Sequence, residues 1–107
     1  MLTEKEQIQK IIKPFFGTKK IDKPTEYEVF RHVYQIESAL ANRQFEVIFD
    51  GVTKICKDTF TEQTTFEFTV IAGETTDMDV LASIDWKNST VTVVALLEDA
   101  LIPAETK

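Results

Sequence analysis

Chemically reactive side chains are few in this sequence, which contains one histidine, His32, and one cysteine, Cys56. Any histidine-based nucleophilic triad or metal site would have to include His32. Because His32 lies off the apolar stripe of its predicted helix, we expect it to face solvent. Ile55 precedes Cys56 and favours a buried structural thiol over a nucleophile, which needs an electropositive, partly exposed niche. The sequence therefore predicts no catalytic residue and no enzyme.

Oxygen ligands for a hard cation occur around one predicted turn, at Glu74, Asp77 and Asp79. The EF-hand spacing, with its glycine and terminal glutamate, is absent. Charged residues beside turns usually form solvated surface, so we expect no metal and no cofactor here. The sequon Asn88-Ser89-Thr90 is interpreted as hairpin turn chemistry.

A possible basic patch lies near the N-terminus. The chain has a net charge of −6, contains two arginines and lacks a glycine-rich phosphate loop, whereas nucleic-acid-binding domains are usually basic. We therefore interpret the patch as solvated surface and expect no nucleic-acid partner, with a nucleic-acid-binding accessory as an alternative. Its members are Lys10, Lys13, Lys19, Lys20 and Lys23.

Length and composition predict one domain that spans residues 1–107. Apolar residues make up 43% of the chain and eight residues are Phe, which is enough to build a core. Residues 1–57 carry ten Lys/Arg and eight Asp/Glu, whereas residues 58–107 carry two and ten. The two halves therefore differ in charge, by +2 against −8, which bears on partners rather than on fold.

The expected compartment is the cytoplasm. Apolar runs fall far short of the roughly 20 residues of a membrane helix, so no membrane contact is predicted. The first residues lack a basic stretch followed by an apolar one, and no secretory signal is expected. A single cysteine forms no internal disulfide and fits a reducing environment.

A first helix is predicted over about 4–13. Thr3 and Glu6 have the spacing of a capping box, and apolar residues follow at helical intervals. Pro14 disfavours its continuation. Residues 18–24 lack both helical and strand periodicity and are predicted to be a connection.

A second helix is predicted over about 26–41. Thr25 and Glu28 repeat the capping-box spacing, and a helical apolar stripe follows. Because residues 27–36 are rich in β-branched and aromatic side chains, a strand is the alternative for this segment.

From Phe45 the apolar period changes from 3.6 to 2. The dipeptide Asp50-Gly51 favours a type I′ turn and predicts a hairpin between strands 45–49 and 52–57. A single bulged strand through Gly51 is the alternative.

Further alternation from Thr65 predicts three more strands, the last two joined by a turn at Asn88-Ser89. This turn would place Trp86 beside Val91 and most large apolar side chains on one face. The segment from 98 onward is predicted to be a short turn or helix and then a frayed end. The predicted core residues are Phe66, Phe68, Ile84, Trp86 and Val93.

These elements predict an α+β fold, with two N-terminal helices packed on one face of a roughly five-stranded antiparallel sheet. The other face should be only half polar, so we expect a protein partner there, and a homodimer is the simplest case. The expected interface residues are Ile48, Ile55, Ile71, Leu81, Val94 and Leu96.

Residues 43–70 read Arg-Gln-Phe-Glu-Val, then Gly51, then Lys54-Ile55-Cys56, then Thr-Phe-Glu-Phe-Thr-Val from Thr65. This order resembles the YkuJ-like family, small proteins of Gram-positive bacteria in which a helix precedes an antiparallel sheet. The resemblance covers about half of the chain, with a longer segment between Val47 and Lys54. It implies a bacterial cytoplasmic setting and a fold, and it carries no activity.

The sequence therefore predicts a small cytoplasmic binding or regulatory protein that acts through protein-protein contacts. Two alternatives remain open: a nucleic-acid-binding accessory that uses the lysines, and a small-ligand-binding domain whose site leaves no motif.

Overall fold

The computed structural model describes residues 2–74 and 76–97. No helix within these ranges is both long and apolar enough to cross a membrane. The α+β class is confirmed, and the predicted turn or helix after residue 97 lies outside the described ranges. The elements are α1 (Glu4–Ile12), a 3-10 turn (Lys13–Phe15), β1 (Gly17–Lys20), α2 (Glu26–Asn42), β2 (Val47–Asp58), β3 (Gln63–Ala72), β4 (Thr76–Asp85) and β5 (Thr90–Leu97).

The capping box of α1 is confirmed. The backbone N–H of Glu6 donates to Oγ1 of Thr3 over 3.1 Å, and the backbone N–H of Thr3 donates to Oε1 of Glu6 over 2.9 Å. The Thr3 backbone N–H, followed by its hydroxyl, lowers the pKa of the Glu6 carboxyl. These bonds satisfy helix-start groups that would otherwise lack partners.

The second helix has nearly the predicted bounds, so the strand alternative is wrong. Thr25 is the N-cap residue, but its side chain accepts no capping hydrogen bond, and the predicted capping box is therefore wrong. The Glu28 carboxylate instead accepts two bonds from the guanidinium of Arg31, of 2.7 and 3.1 Å. An intrahelical ion pair has replaced the box.

β1 corrects the predicted connection. Gly17–Lys20 pairs antiparallel with β5, and Gly17 lies opposite Val93. The hydroxyls of Thr18 and Thr92 are 2.7 Å apart across this pair. A short strand with two lysines carries no periodic signal of its own, and its conformation is stabilised by its partner strand.

β2 is one bulged strand, so the hairpin at Asp50-Gly51 is wrong and the alternative is confirmed. Gly51 has a φ of +92°, and the register with β3 shifts between Phe49 and Val52 and again between Val52 and Lys54. A bulge inserts a residue without a partner and changes which face the following side chains occupy.

The β4–β5 hairpin is present with a different register. Ile84 lies opposite Val91, two positions from the predicted partner Trp86. A shift of two residues keeps every side chain on its face, so the predicted faces of β4 and β5 are retained. Trp86 is half-buried and its indole N–H donates to Oγ1 of Thr64 over 2.9 Å.

The described strands form an antiparallel sheet in the order β1-β5-β4-β3-β2. Alternate residues of β3 and β4 are buried, and they define what we call the core face; the opposite side is the outer face. Phe30 of α2 lies 5.6 Å from Phe66 and 5.7 Å from Phe68 between ring centroids. Of the predicted core residues, Phe66, Phe68, Ile84 and Val93 are buried, whereas the predicted burial of Trp86 is wrong, since it is only half-buried.

Candidate protein-contact surface

His32 is buried, with 7% of its surface exposed, so its predicted solvent position is wrong. It lies three residues after Val29 and four before Ile36, both fully buried, and this spacing brings it to the margin of the buried stripe. Its Nδ1 lies 2.7 Å from the carbonyl oxygen of Glu28. The helix backbone therefore provides a partner for this polar group.

Cys56 is an exposed free thiol, and its predicted burial is wrong. The bulge in β2 places Cys56 opposite Thr65 on the outer face, whereas it places Ile55 opposite Phe66 on the core face. Among the described residues, no three His, Cys, Asp or Glu side chains are grouped so that they could hold a metal ion, and Glu74, Asp77 and Asp79 form no such group.

The predicted interface residues do not form one surface. Leu81 lies opposite Val94 on the outer face, with Leu96 two residues further along β5. Ile48 and Ile71 lie opposite each other, near the start of β2 and the end of β3. These two groups are separated by the outer-face pair Thr69 and Asp79, and Ile55 lies on the opposite side of the sheet.

A polar row also crosses the outer face, from Thr18 through Thr92, Ser83 and Thr65 to Cys56. The hydroxyls of Thr65 and Ser83 are 2.7 Å apart, and those of Thr18 and Thr92 have the same spacing. Each of these hydroxyls has a hydrogen-bond partner on the neighbouring strand. This part of the outer face is polar and can face water.

Exposed apolar side chains also lie along β2, which is an edge strand of the described sheet. Residues 51–58 are all exposed where their side chains are described. Val52 and Ile55 occupy the core face opposite Phe68 and Phe66, yet Ile55 has 53% of its surface exposed. The core face is therefore exposed at this edge of the described sheet.

Phe60 follows β2 in a four-residue turn and has 97% of its surface exposed. The turn is ordered by Asp58, whose Oδ1 accepts the backbone N–H groups of Phe60 and Thr61 over 3.0 and 3.2 Å. An aromatic ring is thus held out in solvent by a hydrogen-bonded turn.

Tyr34 of α2 is half exposed, and its ring contacts that of Phe49, near the start of β2, edge to face with centroids 5.9 Å apart. Tyr34 also lines an open groove of about 650 Å³ along α2, together with Phe15, Tyr27, Phe30 and more polar residues. We call the exposed side chains Tyr34, Val52, Ile55 and Phe60 the β2 surface.

Ile55 is one of the predicted interface residues, whereas Tyr34, Val52 and Phe60 were not predicted. For Phe60 a signal was available, because it stands among Asp58, Thr59, Thr61 and Glu62, where no neighbouring apolar residue could share its burial. For Val52 no local signal existed, since its face depends on the register shifts between β2 and β3.

The lysines of the predicted basic patch are all exposed but lie on different elements. Lys10 is on α1 and Lys13 begins the 3-10 turn. Lys19 and Lys20 lie opposite Val91 and Thr90, hence on opposite faces of the sheet, and Lys23 follows in the connection to α2. Nζ of Lys19 lies 5.8 Å from the ring centroid of Phe15.

Comparison with protein-family models, curated proteins and solved structures finds no match to this chain. The resemblance to the YkuJ-like family stays a prediction.

Proposed function

We propose that this chain is a small binding or regulatory protein that acts through protein-protein contacts, and that the β2 surface is its contact site. The observation that carries the proposal is the almost complete exposure of Phe60 in the turn that follows β2, a strand on which Ile55 and Val52 are also exposed. Aromatic and aliphatic side chains held in solvent on an ordered element are typical anchors of protein interfaces.

Simple dimensions support this location. Two helices side by side, each about 10 Å wide, cover about 20 Å, whereas five strands about 4.8 Å apart span about 24 Å. In this proposal α1 and α2 cover the core face over β3, β4 and β5, and β2 extends beyond them. The side chains that such coverage leaves bare are Val52 and Ile55.

The backbone of β2 strengthens the proposal. As an edge strand of the described sheet it has β3 on one side only, so its other side presents N–H and C=O groups that pair with no other described strand. A partner that adds a strand here gains main-chain hydrogen bonds together with apolar contacts to Ile55 and Val52. The other edge, β1, has four residues, two of them lysines, and is poorly suited to such pairing.

The test is affinity capture from a native lysate of the source cells, read by mass spectrometry. We expect the wild-type chain to retain specific proteins, a second copy of the chain included, and Phe60→Ser and Ile55→Ser to lose them. Leu96→Ser is the matched control, because Leu96 has a similar exposure of 61% but lies on the outer face. Capture that survives both β2 changes and is lost with Leu96→Ser would contradict the proposal.

A further inference from the structure

We propose that the partner at the β2 surface is a second copy of this chain, paired antiparallel through the edge of β2 about a twofold axis at Cys56. This inference rests on the proposed function, because it uses the same surface. It names the partner and the register in which the two strands meet.

The length of β2 available for pairing follows from its register with β3. From Lys54 to Asp58 the pairing with Glu67 to Gln63 is regular, whereas the shifts lie between Phe49 and Lys54. A bulge twists a strand and disrupts its ladder, so the regular segment is the part that can accept a new strand.

Symmetry then restricts the register. In an antiparallel pair about a twofold axis, directly opposed residues point to the same face of the joined sheet. Since Ile55 lies on the core face and Cys56 on the outer face, these two cannot oppose each other. Each possible register therefore has one residue of the regular segment directly opposite its own copy. The twofold axis lies midway between that residue and its copy, and we call this an axis at that residue.

Charge selects among these residues. An axis at Lys54, Lys57 or Asp58 places a charged side chain directly opposite its own copy, which is destabilising. An axis at Ile55 places Lys54 opposite Cys56 and forms no charge pair. An axis at Cys56 places Lys54 opposite Asp58 of the second copy, and symmetry repeats that opposite-charge pair.

The same register accounts for the exposed Ile55. It places Ile55 opposite Lys57 of the second copy, and the methylene stem of a lysine can cover an apolar neighbour while its charge stays in water. The register shift between Val52 and Lys54 ends the regular segment, so the pairing does not extend to Val52.

The single cysteine provides a direct test. Directly opposed residues of antiparallel strands have Cα atoms about 4.5–5.5 Å apart, within the roughly 4.4–6.8 Å that a disulfide spans. Mild oxidation of the full chain at micromolar concentration should therefore give a covalent dimer in high yield. The control is Cys56→Ser/Val94→Cys, which moves the thiol to another exposed outer-face position, and it should cross-link several-fold less.

Sedimentation under reducing conditions supplies the second readout. We expect a dimer whose Kd rises about tenfold or more in Lys54→Glu, because two attractive pairs become repulsive, and this difference should shrink at high salt. Because Lys54 also lies opposite Glu67 of its own chain, the unfolding free energy of the variant is measured in parallel to separate the two effects. Lys20→Glu, at an exposed lysine on the far edge strand, should leave the Kd unchanged.

A monomer at every concentration, with Cys56 cross-linking no better than the control thiol, would overturn the inference. The proposed function would still stand if capture of another protein depended on Phe60. A dimer that is indifferent to Lys54→Glu and cross-links through Val94→Cys would also overturn it, since the outer face would then be the interface.

Discussion

At the scale of single residues, Phe30 links the aromatic side chains of the helix and the sheet. Its ring lies 6.4 Å from Tyr34 in its own helix, in addition to its contacts with Phe66 and Phe68. Phe68 in turn contacts Phe49, which contacts Tyr34. Tilted and edge-to-face pairs at these distances stabilise by about 0.5–1.5 kcal/mol beyond burial alone. The aromatic cluster therefore ends in the half-exposed Tyr34, where the β2 surface begins.

Phe68→Ala is expected to lower the free energy of unfolding by about 3–5 kcal/mol, because it leaves a cavity in a well-packed core. Phe68 has 2% of its surface exposed and contacts two other rings. Phe60→Ala is the matched control, an identical change at an exposed ring, and at a protein concentration low enough for the chain to be monomeric it should alter stability by about 0.5 kcal/mol or less. Urea denaturation of both variants measures the difference, and equal midpoints would disprove the assignment of faces.

Asp85→Asn is expected to lower the melting temperature at neutral pH. The Asp85 carboxylate accepts bonds from the side chain and backbone of Asn88 and from the backbone of Lys87, and these lower its pKa. A carboxyl whose folded pKa is depressed contributes stability above its ordinary pKa of about 3.8, and this stability is lost as the pH falls through the folded pKa.

The difference in melting temperature between wild type and Asp85→Asn should therefore be constant from pH 7 to pH 5 and disappear in more acidic solution. Asp22→Asn, in the exposed connection before α2, serves as the control and should match wild type throughout. If the difference in melting temperature between wild type and Asp85→Asn were the same at pH 2.5, the charge of Asp85 would not be what stabilises the turn.

At the scale of elements, β2 shows how local turn chemistry can be overridden. Asp50-Gly51 is a strong hairpin signal, and as a hairpin its two arms would pair with each other. β3 is long enough to pair with both arms, and a single strand with a bulge at Gly51 lets both arms form backbone hydrogen bonds with β3. Helix bounds, by contrast, follow from capping residues and apolar spacing within the helix itself, which is why α1 and α2 were predictable. The strands β1 and β2 depend on partners distant in sequence, and no local pattern contains that information.

Substitution of two glycines by alanine tests the backbone geometry at the bulge and at the β3–β4 turn. Gly73 and Gly51 both have positive φ, of +66° and +92°, so either change to Ala should cost about 1 kcal/mol or more. At Gly51 an added Cβ meets nothing within 4 Å, whereas at Gly73 it would come within 2.5 Å of the Glu4 carboxylate. That carboxylate accepts the backbone N–H of Glu74 and the hydroxyl of Thr76, over 3.0 and 3.3 Å.

We therefore expect Gly73→Ala to destabilise the protein more than Gly51→Ala, as measured by chemical denaturation. The excess should fall when both changes are repeated in a Glu4→Ala background, because the crowded carboxylate is then gone. Equal losses for the two glycines would show that the contact between the start of α1 and the β3–β4 turn contributes nothing.

At the scale of the whole molecule, the half-apolar outer face followed from period-two alternation, but its division did not. Thr69 and Asp79 separate the two apolar groups only because β3 and β4 pair in a particular register. Ile55 was predicted on the wrong face, because the bulge in β2 moves it to the core face. Candidate residues on a regular strand can thus be predicted to within a face, whereas a contiguous surface needs the register of the assembled sheet.

The distribution of charge leads to the last prediction. Strand alternation places Lys19 and Lys20 on opposite faces, which disperses the basic residues instead of aligning them along a phosphate backbone. Replacing Lys19, Lys20 and Lys23 with Gln should therefore change unfolding free energy by only about 0.5 kcal/mol, since all three are exposed. In mobility-shift assays at low salt, we expect wild type and the triple variant to behave alike. A salt-sensitive shift of nucleic acid by wild type that the triple variant loses would instead establish the lysines as a phosphate-binding site.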